Sequence, residues 1–155
     1  MLWKLPPKIK IYEALGSIAD NRISVSDNSG EVYSSTRNKK YIVKYDPENN
    51  AIMANDNASY WAGYLGYPAI AFLLVKGIMD YNPKFANALK DIPWKDINQK
   101  FRNNHQKVEK YVKETVANKN TSVEELEREV ERIYDQIKQL GLEKLGKRIS
   151  PPKGY

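Results

Sequence analysis

The chain contains no cysteine, which excludes disulfides and thiolate metal sites outright. Histidine is almost as scarce: His105 stands alone, so no second imidazole is there to share acid–base work. Long apolar runs are missing too. The longest uninterrupted one, Pro68 to Val75, falls far short of the roughly 20 residues that a membrane span needs, and no membrane partner is expected. The N-terminal M-L-W-K-L-P-P-K has no long apolar segment, so no signal peptide is visible. A cysteine-free chain suits a reducing compartment, and cytoplasmic residence is the default expectation. A Gly-rich phosphate loop, a dinucleotide fingerprint, a nucleophile elbow and zinc-ligand spacing are all lacking. These absences argue against an NTPase, a nicotinamide enzyme and a serine hydrolase.

What is present is 155 residues, the length of one domain. Residues 1–149 are expected to form that domain and 150–155 a flexible tail. The net charge of +6 is unevenly placed. Residues 1–60 carry 8 basic and 7 acidic groups, residues 61–120 carry 10 and 5, and residues 121–155 carry 7 and 7. The excess therefore lies in the middle third. A local basic excess fits either a polyanionic partner, nucleic acid first, or a merely solvated surface.

The most apolar stretch runs from Ser59 to Met79 and reads as one buried central helix, or as two half-helices jointed at Pro68. Before it, Pro6-Pro7 opens a helix to about Asn21, in which Gly16 can admit a close neighbour. Between Ile23 and Ala54 the apolar period switches to two. Ile23–Ser26, Glu31–Ser35, Lys40–Tyr45 and Ala51–Ala54 read as two small antiparallel hairpins or as one small antiparallel meander. After the central stretch come a short helix over Lys84–Lys90 and a long one from Trp94 to about Val116. The last helix begins with a capping box, Ser122 to Glu125, and ends at Gly141. Its seam of Val123, Leu126, Val130, Ile133, Ile137 and Leu140 has steps of 3, 4, 3, 4 and 3, close to a heptad. That seam is either a core face or a dimer face. The fold expected is mainly α, with the 23–54 hairpins as an insertion; the alternative is α+β.

Several groups can carry chemistry. His105 is either a half-buried histidine with one hydrogen-bonding partner or an acid–base group for RNA cleavage helped by Arg102. Lys100, Lys107 and Lys110, with Arg102, offer contacts to a phosphate backbone, or else form a solvated face. Tyr33, Tyr41, Tyr45, Tyr60, Tyr64, Tyr67 and Trp61 either stack on unpaired bases or pack the sheet against helices. Glu127, Glu131 and Asp135 form a row at i, i+4, i+8, which a divalent ion such as Mg²⁺ would relieve; Arg128 and Arg132 on the same helix offer the plainer account.

The segment Tyr60-Trp61-Ala62-Gly63-Tyr64-Leu65-Gly66-Tyr67-Pro68-Ala69-Ile70 resembles the signature helix of the ribonuclease III family, E-R-L-E-F-L-G-D-A-V-L. Leu65-Gly66 stands at its L-G. Glu124-Glu125-Leu126-Glu127 is similar to the family's second acidic motif, D-x-x-E, and Ile133-Tyr134 falls at its I-Y. Where the signature has carboxylates this chain has Tyr60, Gly63 and Tyr67. The resemblance is to a divergent, archaeal-type member and implies a helical homodimer that binds double-stranded or structured RNA. Its endonuclease activity would be weak or lost. If active, Glu124 and Glu127 would be catalytic, and Glu127 with Glu131 would hold Mg²⁺. The second reading is a non-catalytic homodimeric interaction module.

Overall fold

The computed structural model describes residues 1–153. Helix α1 (Ile9–Ala19) starts as soon as Pro6-Pro7 end. Four antiparallel-paired strands follow: β1 (Ile23–Ser26), β2 (Ser29–Tyr33), β3 (Lys40–Asp46) and β4 (Ala51–Ala54). A π-helical turn over Ala58–Ala62 leads to α2 (Tyr67–Lys76) and α3 (Pro83–Ala88). Then come α4 (Trp94–Lys100), α5 (His105–Ala117), α6 (Val123–Leu140) and a two-residue strand, β5 (Glu143–Lys144). The sheet order is β1-β2-β3-β4-β5, and β5 joins parallel to β4.

The architecture is α+β, which overturns the expectation of a mainly α, ribonuclease III-like helical domain. The strands are not an insertion. In β3, alternation places Tyr41, Val43 and Tyr45 inward and Lys40, Ile42 and Lys44 outward or half out. The inward row meets α2: Tyr41 sits edge-on to Tyr67, with ring centroids 6.2 Å apart, and Tyr45 lies 5.9 Å from Phe72. Val32, Ile52 and Ala54 complete that side of the core, while Met53, paired with Lys44, is buried on the opposite face of the sheet. The chain end is tied to the same sheet. Leu2 bridges to Glu143, and the Trp3 indole N–H donates to the Ile52 carbonyl at 2.9 Å.

The buried rod is shorter than Ser59–Met79. Gly63, at φ +75°, ends the π turn, and Pro68 sits in the first turn of α2, where a missing N–H costs nothing. Pro68 to Leu74 are all buried, whereas Trp61 is 72% exposed. Helix α2 lies on the sheet, α1 packs on α2, and α3, α5 and α6 each touch α1. Every residue of α1 from Ile11 to Ser17 is buried, so α1 shares the centre with α2. Gly16 does admit a close neighbour: a Cβ there would stand 2.8 Å from the Trp94 indole nitrogen.

The single helix expected over Trp94–Val116 is two. Arg102 and Asn103 take left-handed backbone angles (φ 51° and 58°), and the Asn104 side chain caps α5 by accepting from the Lys107 N–H at 3.1 Å. Two adjacent left-handed residues cannot continue an α-helix. The seam of α6 faces this chain's own core, with Leu126, Val130, Ile133 and Ile137 all buried. A second anchor holds that helix: Glu129 accepts from the Asn82 N–H and pairs with Arg132, which also reaches Asp80. Of the tail, Pro151 and Pro152 are half-buried without regular structure; Gly154 and Tyr155 lie outside the described residues.

A core position on α6 is therefore expected to control folding. Ile133→Ala should cost about 2–5 kcal/mol in urea unfolding, the range for a fully buried large aliphatic. A loss under about 0.5 kcal/mol, as for a surface position, accompanied by changed self-association, would mean that the seam is an interface.

Candidate functional site

The residues singled out from the sequence are dispersed. Glu124, Glu127 and Glu131 line one shallow depression on α6, but Lys8, Lys113 and Arg128 share it. Glu131 pairs with Lys8, and Glu127 with Lys113 at 3.4 Å. Among the described residues no group of three His, Asp or Glu side chains converges as a metal ion would require. Leu65-Gly66 lies in the extended segment before α2, not within a helix as the ribonuclease signature requires. Lys107 and Lys110 are exposed on α5, whereas Lys100 ends α4 and Arg102 lies in the intervening loop. The Lys100 ammonium stands over the rings of Phe101 and Tyr111, at 5.4 and 5.9 Å.

A different place gathers the titratable groups. Lys10 and Glu13, three residues apart, project from the same side of α1 and form an ion pair of 3.2 Å. They open onto a cleft of about 560 Å³, large enough for a small organic molecule. One wall is the sheet, with Tyr41 of β3 and the Ser34–Lys39 loop. A second is the segment from Asp56 through the π turn to Tyr67. The third comes from α4 and the loop to α5, with Trp94, Asn98, Gln99, Asn103 and His105. His105, Tyr41, Trp61, Tyr64 and Tyr67 stand out in the sequence by residue type, and all five line this cleft. Lys10, Glu13, Arg22 and Asp56 line it as well, and nothing in their sequence surroundings marks them.

Asp56 is 4% exposed, just after the end of β4. The Ser59 hydroxyl donates to its Oδ1 at 2.6 Å and the Ser59 N–H to its Oδ2 at 3.3 Å. The carboxyl fills the space left by Gly66: a Cβ on that residue would come within 1.9 Å of Oδ2. One carboxyl thus lies packed between the π turn and the residue that precedes α2. Burial pushes the Asp56 carboxyl above the ordinary carboxylate range, against the Ser59 hydrogen bonds and the charge of Lys10.

The other groups respond to the same enclosure. Burial works against the charge on Lys10, yet Glu13, Tyr64 and Asp56 outweigh it and its pKa is raised. Burial and the nearby Lys10 lower His105, so the imidazole is neutral at neutral pH. Burial raises Tyr67 and Tyr41, and both phenols stay protonated. Arg22, 3% exposed, lies over the Tyr67 ring and donates from Nη1 to the Tyr33 carbonyl at 2.8 Å. Its Nε has no hydrogen-bond partner and stands 3.7 Å from the Asp20 carboxylate. Chemically the cleft offers a carboxyl that burial pushes toward its protonated form, a carboxylate in an ion pair, a neutral imidazole and an array of hydroxyls and amides.

No helix among the described residues is long and apolar enough to cross a membrane. Nothing among curated proteins, and nothing among solved structures, matches the chain. Residues 3–143 match one family across nearly the whole domain, from Trp3 under the sheet to Glu143 in β5. The chain belongs to that family, the uncharacterised conserved proteins UCP014422.

Proposed function

We propose that the cleft binds a small polar molecule and performs acid–base chemistry on it. Asp56 serves as the proton donor and Glu13 as the carboxylate that receives a proton. The observation that supports this reading is the contrast between two buried carboxyls in one open cleft. One is pushed toward its protonated form by burial; the other stands against an ammonium. Acid–base catalysis requires one group to give a proton while another takes it. His105, which lines the same cleft, is a neutral relay for either proton. Binding of RNA along Lys107 and Lys110 draws on exposed charge alone and is the weaker reading.

The raised pKa of Asp56 has a thermodynamic signature. A carboxyl whose folded pKa exceeds its unfolded value binds more protons in the folded protein. Its stabilising contribution is complete below the unfolded value of about 3.9 and is lost as pH rises through the raised folded pKa. Asp56→Asn removes the titration and keeps an acceptor for Ser59. The stability of the wild type relative to Asp56→Asn should therefore fall as pH is raised from acid to neutral. Thermal unfolding of both chains across that interval checks this, and a constant difference would show that Asp56 is not held as the acid.

Binding is the second expectation. In a thermal-shift panel of sugars, nucleosides, nucleotides and short organic acids, at least one class should stabilise the protein. A ligand at about 100 times its Kd contributes about 2.7 kcal/mol. A panel without any shift, repeated at high concentration, would remove the small-molecule reading.

A further inference from the structure

Three features of the cleft narrow its ligand, on the premise that the cleft is the acid–base site proposed above. The first is Trp61. Among the described residues it is the most exposed large aromatic side chain, at 72%, and it stands at the rim. It is not loose. Tyr60 meets it edge-on, with centroids 4.7 Å apart and planes at 83°. Tyr60 is held in turn by Arg148, whose guanidinium lies 4.6 Å from its ring and donates to its carbonyl at 3.3 Å. An indole fixed in place and open to solvent is a platform for a flat, weakly polar ring face.

The second feature is the amide lining. Asn57, Asn98, Gln99 and Asn103 border the cleft, and each amide both donates and accepts. Hydroxyl groups of a sugar do the same, so the two sets satisfy one another. The third is the state of the cations. Lys10 is paired with Glu13, and Arg22 is engaged with Tyr33 and Asp20. Lys39 and Lys95 are not free either. A phosphate would find these cations already engaged, with the Arg22 Nε lacking a hydrogen-bond partner, whereas a neutral polyol needs no counter-charge.

We propose that the ligand is a glycoside, with one sugar ring lying on Trp61, its hydroxyls held by the amides, and its glycosidic oxygen presented to Asp56. The reaction that follows is hydrolysis. The Asp56 proton passes to the glycosidic oxygen, which leaves with the electron pair of the broken carbon–oxygen bond. The oxygen of a water molecule bonds to the anomeric carbon, and the proton it loses passes to Glu13. Exchange with solvent returns a proton to Asp56 and takes one from Glu13. The products are a reducing sugar and an alcohol, and no redox partner is needed.

The test is release of the fluorophore from a set of umbelliferyl glycosides of common hexoses, pentoses and N-acetylhexosamines, using the full chain. At least one should be cleaved, and Asp56→Asn should lower the rate by about a hundredfold or more. Trp61→Ala, at an exposed position that leaves the fold intact, should weaken binding of that glycoside about tenfold. If nucleotides or organic acids stabilise the protein while no glycoside binds or is cleaved, the substrate class falls and the acid–base cleft stands. If no compound of any class binds, both fall together.

Discussion

Helix α1 is enclosed on nearly every side, and the rest of the structure follows from that enclosure. Seven consecutive residues, Ile11 to Ser17, are buried, so the helix has no solvent face on which to place its polar groups. A helix in that position is expected to be apolar throughout. This one carries Glu13 and, one turn earlier, Lys10. Isolated charges there would be strongly unfavourable. They persist because they face one another across 3.2 Å and because the elements around α1 do not close completely. The sheet with α2 covers one side, and α3, α5 and α6 cover the others. The cleft remains where α1 meets the sheet, the Asp56–Tyr67 segment and the loop between α4 and α5.

The neighbouring acid is placed by a separate constraint. Strand β4 ends at Ala54, and the chain must cross from the sheet to the start of α2 at Tyr67. It does so through the π-helical turn, a geometry found mostly as short departures from α-helix near functional sites. Ser59 ties the turn to Asp56, and Gly66 lets the carboxyl lie against the entry to α2. No other residue type fits at 66 without moving that carboxyl. The position of Asp56 is therefore as rigid as the junction between sheet and helix. This is the support a proton donor needs if its distance to a ligand is to be fixed.

Much of this fold was legible in the sequence. The strands Ile23–Ser26 and Ala51–Ala54 lie where the period of two put them, and α6 begins at its Ser122 cap and ends at Gly141. The inference from those strands to an inserted hairpin failed because strand periodicity shows which face is buried, not what covers it. The break in Trp94–Val116 was hidden because Phe101 and Val108 hold a helical spacing across it; only the Asn103-Asn104 pair, suited to left-handed angles and caps, marked it. Strand β5 has two residues and pairs in parallel, too little for any period to register. The site was half legible. Its aromatics and His105 stand out as residue types, but Glu13 looks like the polar face of an amphipathic helix, and Asp56 like the breaker of a strand. Their burial depends on elements remote in sequence, which no local pattern reports. The acids along α6 drew attention for the opposite reason: they are numerous, and solvent is where numerous acids belong.

Buried charge in this protein is of two kinds. An ion pair buried for stability alone is a poor device, since well-packed apolar residues of similar volume serve as well or better. At the far side of the fold buried charge does hold elements together. There Glu129 receives the Asn82 N–H and Arg132, closing the loop after α2 against α6. Lys10 and Glu13 close nothing of that kind. They adjoin an open volume together with a half-buried imidazole and a carboxyl that burial pushes toward its protonated form. Lys10 and Glu13, costly to bury, not needed to hold elements together and left facing a space of ligand size, are best explained by what enters that space.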